Sequence, residues 1–105
     1  MKGNRMHFGL ATTDEIAAEL ATRLRAHRLA QNIQQSELAA RAGISRKTLT
    51  TFEQSGKVSL EIFLRIVAAL GLSDSLSTMF ELKPKSIREM ELAEHGRQRA
   101  SRRQT

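Results

Sequence analysis

Apolar residues recur at three- and four-residue intervals through most of this chain, separated by short polar segments, so the pattern is helical throughout. Ile16, Leu20 and Leu24 repeat every four residues with Ala17, Ala21 and Arg28 alongside, which predicts a helix over about 13–30 with one stripe facing a core. Thr12-Thr13-Asp14-Glu15 has capping-box spacing and opens that helix, and Asn32 ends it. A second helix over about 35–42 stops at Gly43, the residue type best able to take a left-handed conformation. Ser45 caps a third helix over about 46–54. After the loop Ser55-Gly56-Lys57-Val58, Ser59 caps a fourth helix over about 60–70 that buries Leu60, Phe63, Leu64, Val67 and Leu70 and closes at Gly71. Ser73 or Asp74 then opens a fifth helix carrying Leu76, Met79 and Phe80. The expected fold is all-α, five short helices in a compact domain. Segments such as Arg5–Phe8 and Lys57–Leu60 offer only a slight pattern for strand pairing in an oligomer.

The character changes after Phe80. Pro84, the single proline, follows Lys83 and is expected to break the helix. Ser86-Ile87-Arg88-Glu89 has capping-box spacing and predicts an outlying helix over 87–95, ended by Gly96 and followed by a basic tail expected to be disordered alone. The organisation expected is an N-terminal extension at 1–12, a domain at 13–82 and a basic C-terminal tail with a short helix at 83–105.

The run Gln35 to Phe52 carries the chemistry. Leu38, Ala39, Ala42, Ile44, Leu49 and Phe52 fall on the inner faces of two short helices, and Gly43 stands where the chain must turn between them. That pattern describes a helix-turn-helix, which places a polar helix surface in a DNA groove. It leaves Ser45 at the start of the third helix and Arg46, Lys47, Thr50 and Thr51 on its outer face. Arg and Lys donate to guanine O6 and N7, and a Thr methyl can touch a thymine methyl. Gln35, opening the second helix, is placed to hold a phosphate with its amide and the nearby backbone N–H groups.

Charge sharpens this picture. The net charge is +6, yet residues 14–82 are neutral, so the excess lies in the two ends: Lys2 and Arg5, and seven bases against three acids over 83–105. Basic ends add salt-sensitive, sequence-independent attraction to phosphate. There is no cysteine, which excludes disulfides and thiolate zinc sites. No apolar stretch approaches the ~20 residues that span a bilayer, and MKGNRMHFGL has no apolar signal region. A cytoplasmic protein is the expectation. His7, His27 and His95 are far apart, and no nucleophile–base pair or phosphate-cradling glycine loop stands out. No metal, cofactor or enzymatic activity is expected.

The chain resembles the Cro/repressor, or Xre-type, helix-turn-helix family over about 14–80. The matching segments are Leu24-Arg25…Arg28, Ile33-Gln34-Gln35-Ser36-Glu37-Leu38-Ala39, Ala42-Gly43-Ile44-Ser45, Leu49…Phe52-Glu53 and Leu60…Ala69-Leu70-Gly71. The resemblance implies that Gln35 touches the DNA backbone and that the start and outer face of the third helix read bases. It also implies that Arg28 and Glu53 form a buried structural ion pair. Two departures stand out: position 34 is Gln where the family usually has Ser or Thr, and the loop after Glu53 lacks the usual proline and is one residue short.

A narrower resemblance lies in FGLATTDEIAAEL, SGKVSLEIFLRIVAALGL and the tail ending GRQRASRR, which look like HipB-type antitoxins encoded beside HipA-type kinases. It implies a homodimer that binds an inverted-repeat operator in double-stranded DNA, represses its own operon and also binds a HipA-type Ser/Thr kinase toxin. The alternatives are a solitary phage-type or metabolic repressor, and a helical protein–protein adaptor that no longer reads DNA. Arg46, Lys47 and the basic ends argue against the adaptor.

Overall fold

The computed structural model describes residues 6–103, and the side chains of all of these except 85, 86 and 99–103. The bases Lys2 and Arg5, the last two residues of the tail, and the side chains of Lys85, Arg99, Arg102 and Arg103 lie outside the described residues, whereas Met6, His7 and Phe8 are described and form no strand, Phe8 opening a 3-10 turn. Among the described residues the elements are helical: α1 Thr13–Ala30, α2 Gln35–Ala42, α3 Arg46–Ser55, α4 Leu60–Ala69 and α5 Pro84–Arg103, with 3-10 turns at Phe8–Leu10 and Ser73–Leu76. The chain divides into two compact units, Met1–Asp74 and Ser75–Thr105.

The four helices of the first unit start and stop for local chemical reasons. Thr12 accepts from the Glu15 N–H at 3.1 Å while the Glu15 carboxylate accepts from the Thr12 N–H at 2.9 Å, a reciprocal capping box that satisfies two otherwise orphaned donors. Ser45 accepts from the Thr48 N–H at 3.0 Å and Ser59 from the Ile62 N–H at 3.2 Å. The Gln34 side chain makes no such bond at the start of α2. At the other end of α1 the Ile33 N–H reaches the Arg28 carbonyl (3.1 Å) and the Asn32 N–H the Leu29 carbonyl (3.0 Å). This is a Schellman closure, with Asn32 in the left-handed region at φ 57°.

α1 packs on α3, and α2 packs on both α3 and α4. The core consists of Ala21, Ile33, Leu38, Ala39, Ala42, Leu49, Phe52, Ile66 and Leu70, with Leu24, Ile44, Ile62 and Phe63 half-buried against it. Phe52 and Phe63 meet edge to face at 6.1 Å between ring centres, a favourable arrangement for aromatic quadrupoles. The Gln31 amide donates to the Leu70 carbonyl at 2.9 Å and ties the C-terminal ends of α1 and α4 together. Two expected core residues are corrected: Leu60 and Leu64 are exposed, at 71% and 42%. α4 turns Ile62, Phe63, Ile66, Val67 and Leu70 inward, so Leu60 and Leu64 fall outside the apolar stripe.

The chain from Ser73 onward departs from expectation more strongly. Residues 73–82 form a 3-10 turn at Ser73–Leu76 followed by turns, not an α-helix, and Phe80 has a positive φ of 59°. The fifth helix instead begins at Pro84 and runs through Gly96 to Arg103. Proline is tolerated at the first helical position because the N–H it lacks would have no partner there. The residue read as a breaker is the residue that opens the helix.

Candidate nucleic-acid interface

α2 and α3 are joined by only three residues. The Ile44 N–H bonds the Ala39 carbonyl (3.0 Å) and the Gly43 N–H bonds the Ala40 carbonyl (3.2 Å), with Gly43 at φ 68°. A Cβ-bearing residue is strained at that φ, so glycine lets the chain reverse within one residue and deliver Ser45 as the cap of α3. Ala39 and Ala42 on α2, with Leu49 and Phe52 on α3, are buried at the crossing.

With that side of α3 committed to the core, its other side is open. Ser45, Arg46, Lys47 and Thr51 are exposed, and neither Arg46 nor Lys47 forms an ion pair among the described residues. By contrast, Arg23, Arg41 and Arg65 are each paired with a Glu one turn earlier on the same helix. The cations of α3 are left available for an external anion or base. Ser45 spends its oxygen on its cap and lies 2.8 Å from the Thr48 hydroxyl.

Thr50 sits differently from its neighbours. It is half-buried, and its hydroxyl donates to Gln35 Oε1 at 3.2 Å. Gln35 in turn donates from Nε2 to Glu53 Oε1 at 2.8 Å. Glu53 is gripped by Arg28, from Nε to Oε2 at 2.7 Å and from Nη2 to Oε1 at 3.0 Å, and Arg28 Nη1 also donates to the Ile33 carbonyl at 2.8 Å. The side chains of Arg28 and Glu53 are 8% and 4% exposed. Burial of both charges is tolerable because the fork-to-carboxylate geometry satisfies them mutually. Arg25 Nε stands 3.9 Å from the same carboxylate. The spacing of three between Arg25 and Arg28 places both on one face of α1, but the meeting of Arg25 with Glu53 depends on the crossing of α1 and α3 and has no local signal in the sequence.

The structure therefore brings Gln35, Thr50, Arg28 and Glu53 into one hydrogen-bonded chain, with Ser45, Arg46, Lys47 and Thr51 exposed on α3 beside it. The first-turn N–H groups of α2, where no side chain caps the helix, add hydrogen-bond donors at its positive dipole end. Cations, hydroxyls and amides side by side suit the edges of bases and the phosphates flanking them. Among the described residues no three His, Asp or Glu side chains converge as a metal site would require. Nor is any helix among them long and apolar enough to cross a membrane.

A protein-family model described as Helix-turn-helix matches residues 24–76, from within α1 to the 3-10 turn after α4. No curated protein matches the chain. The family match covers half of the chain and all of the α2–turn–α3 unit, and its members are DNA-binding transcriptional regulators. The chain belongs to the Cro/C1-type, or Xre-type, helix-turn-helix family.

Proposed function

We propose that this chain is a homodimeric, sequence-specific repressor that occupies an inverted-repeat operator in its own promoter, and that it is the antitoxin of a HipA-type toxin–antitoxin module. The observation that carries the DNA-reading part is the division of α3: Leu49 and Phe52 are buried on one side, while Arg46, Lys47 and Thr51 stand exposed on the other. Arg46 and Lys47 donate to base edges or phosphates, Thr51 offers a methyl and a hydroxyl, and Gln35 and Ser45 meet the backbone at the starts of α2 and α3.

One copy of α3 spans only a few base pairs, too little to select one site in a genome. Two copies on half-sites about one helical turn (~34 Å) apart double the reading length, so a dimer is the economical arrangement. The second unit supports a protein interaction of this kind, because Met79, Phe80 and Leu82 are exposed at 49%, 92% and 48%. Exposed apolar clusters of that sort favour a macromolecular partner.

The antitoxin reading rests on the likeness of FGLATTDEIAAEL, the α3–α4 loop with α4, and the basic tail to HipB-type proteins. Binding-site selection from random duplexes with the purified chain tests the first part: a two-fold symmetric motif is expected, and recovery of no motif would leave only an adaptor. Co-purification with the product of an adjacent HipA-like kinase gene tests the second. A neighbourhood with no such gene would assign the chain to a solitary repressor.

A further inference from the structure

The chain of hydrogen bonds that begins in the core ends at the DNA-facing surface, and its direction is fixed. A carboxylate accepts and does not donate. The Glu53 carboxylate, already holding the Arg28 guanidinium, therefore requires that the group 2.8 Å away on Gln35 be the amide NH2 and not the amide oxygen. The opposite amide orientation would set two acceptor oxygens against each other. With Nε2 turned to Glu53, the carbonyl Oε1 is the atom left for Thr50 at 3.2 Å, and it can only accept. A threonine hydroxyl has one proton, and that proton is consumed by Gln35.

We infer that Gln35, oriented by Glu53, fixes the Thr50 hydroxyl as a hydrogen-bond acceptor toward DNA, so that Thr50 selects a base carrying an amino group in the major groove. The inference rests on the reading that α3 faces DNA. In the major groove, adenine N6 and cytosine N4 carry donor hydrogens, whereas guanine O6 and N7 and thymine O4 are acceptors. A free threonine would satisfy either class by rotating its hydroxyl. A threonine whose proton is already held can satisfy only the first, and an acceptor base opposite it leaves two lone pairs in repulsion and unpaired. Thr50 thereby becomes a specificity-determining residue, and Gln35 and Glu53 become positioning residues that act through it.

The test uses the full-length chain on an operator obtained by binding-site selection, with single-atom base analogues in a titration of affinity. Each adenine is replaced by purine, which lacks the N6 amine, and each cytosine by pyrimidin-2-one, which lacks the N4 amine. Each guanine is replaced in turn by 7-deazaguanine and each thymine by 5-methylpyrimidin-2-one, which delete acceptors. The wild type should show one position per half-site where loss of an amine weakens binding about tenfold, and the Thr50→Val variant should show no penalty there. Thr50→Ser should retain it. In Gln35→Met the hydroxyl regains its proton, so inverting that base pair should become tolerated within about twofold, even though overall affinity falls as Gln35 no longer meets the DNA backbone. Circular dichroism confirms that each variant is folded. The inference is overturned if the penalty abolished by Thr50→Val belongs to an acceptor deletion, if no analogue couples to Thr50, or if Gln35→Met leaves the preference intact. Failure of the wild type to select any motif would instead overturn the DNA-reading proposal beneath it.

Discussion

The Arg28 guanidinium holds both carboxylate oxygens of Glu53, at 2.7 and 3.0 Å, and joins the end of α1 to the end of α3 across 25 residues of sequence. The pair sits at the edge of the core but is nearly sealed from water, and its third guanidinium nitrogen closes on the Ile33 carbonyl. It fixes the tilt of the proposed base-reading helix against α1 and also sets the amide of Gln35 on the surface.

Breaking this pair from one side should be severe. Glu53→Ala or Arg28→Ala leaves a buried charge uncompensated and is expected to cost about 3–5 kcal/mol. That is a large part of the ~5–15 kcal/mol that holds a typical domain together. The double variant Arg28→Met/Glu53→Leu removes both charges and should be more stable than either single variant. Urea denaturation of the three proteins checks the order, and equal destabilisation in all three would deny that desolvation dominates.

Gly56 gives a second stability prediction. It has φ 78°, and a Cβ built on it would lie 2.3 Å from the backbone oxygen of Ala17 on α1. Gly43, at φ 68°, would bring its Cβ only to within 3.4 Å of the flexible end of Arg65. Gly43→Ala should therefore cost mainly left-handed strain, about 1–2 kcal/mol, while Gly56→Ala forces α1 and the α3–α4 loop apart and costs clearly more. Thermal unfolding should rank them so; the reverse order would mean that α1 yields more easily than its packing suggests.

These two features differ in how far the sequence revealed them. The bounds of α1 through α4 were legible because Thr12, Glu15, Ser45, Ser59 and Gly43 are local signals read within one helical turn. The stretch around Leu76, Met79 and Phe80 misled because its three- and four-residue spacing is shared by helices and by successive tight turns, and so short a segment gains little from helix propagation. Pro84 and Gly96 misled because position within a helix decides their effect. Gln35 and Thr50 could be named individually as surface chemistry, yet their bond to each other depends on the crossing of α2 and α3. No local pattern encodes the direction of that bond, since it is inherited from Glu53.

The exposed Met79 and Phe80 lead to a prediction about assembly. Met79→Ser/Phe80→Ser should convert the proposed dimer to a monomer in sedimentation equilibrium, and should weaken binding to a two-half-site operator more than to a single half-site. A variant that still sediments as a dimer would place the interface elsewhere.

Removing residues 96–105 tests the basic tail. Among the described residues every core residue precedes residue 75, so folding of the first unit should persist. Affinity for every DNA sequence should fall, and the plot of log affinity against log salt should flatten by about 0.9 for each phosphate that the tail no longer neutralises. An unchanged slope would assign the tail to a protein partner instead.

That α3 is the base-reading helix is tested most directly by one titration. Arg46→Ala/Lys47→Ala alters two exposed side chains and no part of the core. Its helical circular-dichroism signal and unfolding midpoint should match the wild type, while its affinity for the selected operator should drop to the level of unrelated DNA. Operator affinity that survives the double substitution unchanged would contradict the assignment of this face.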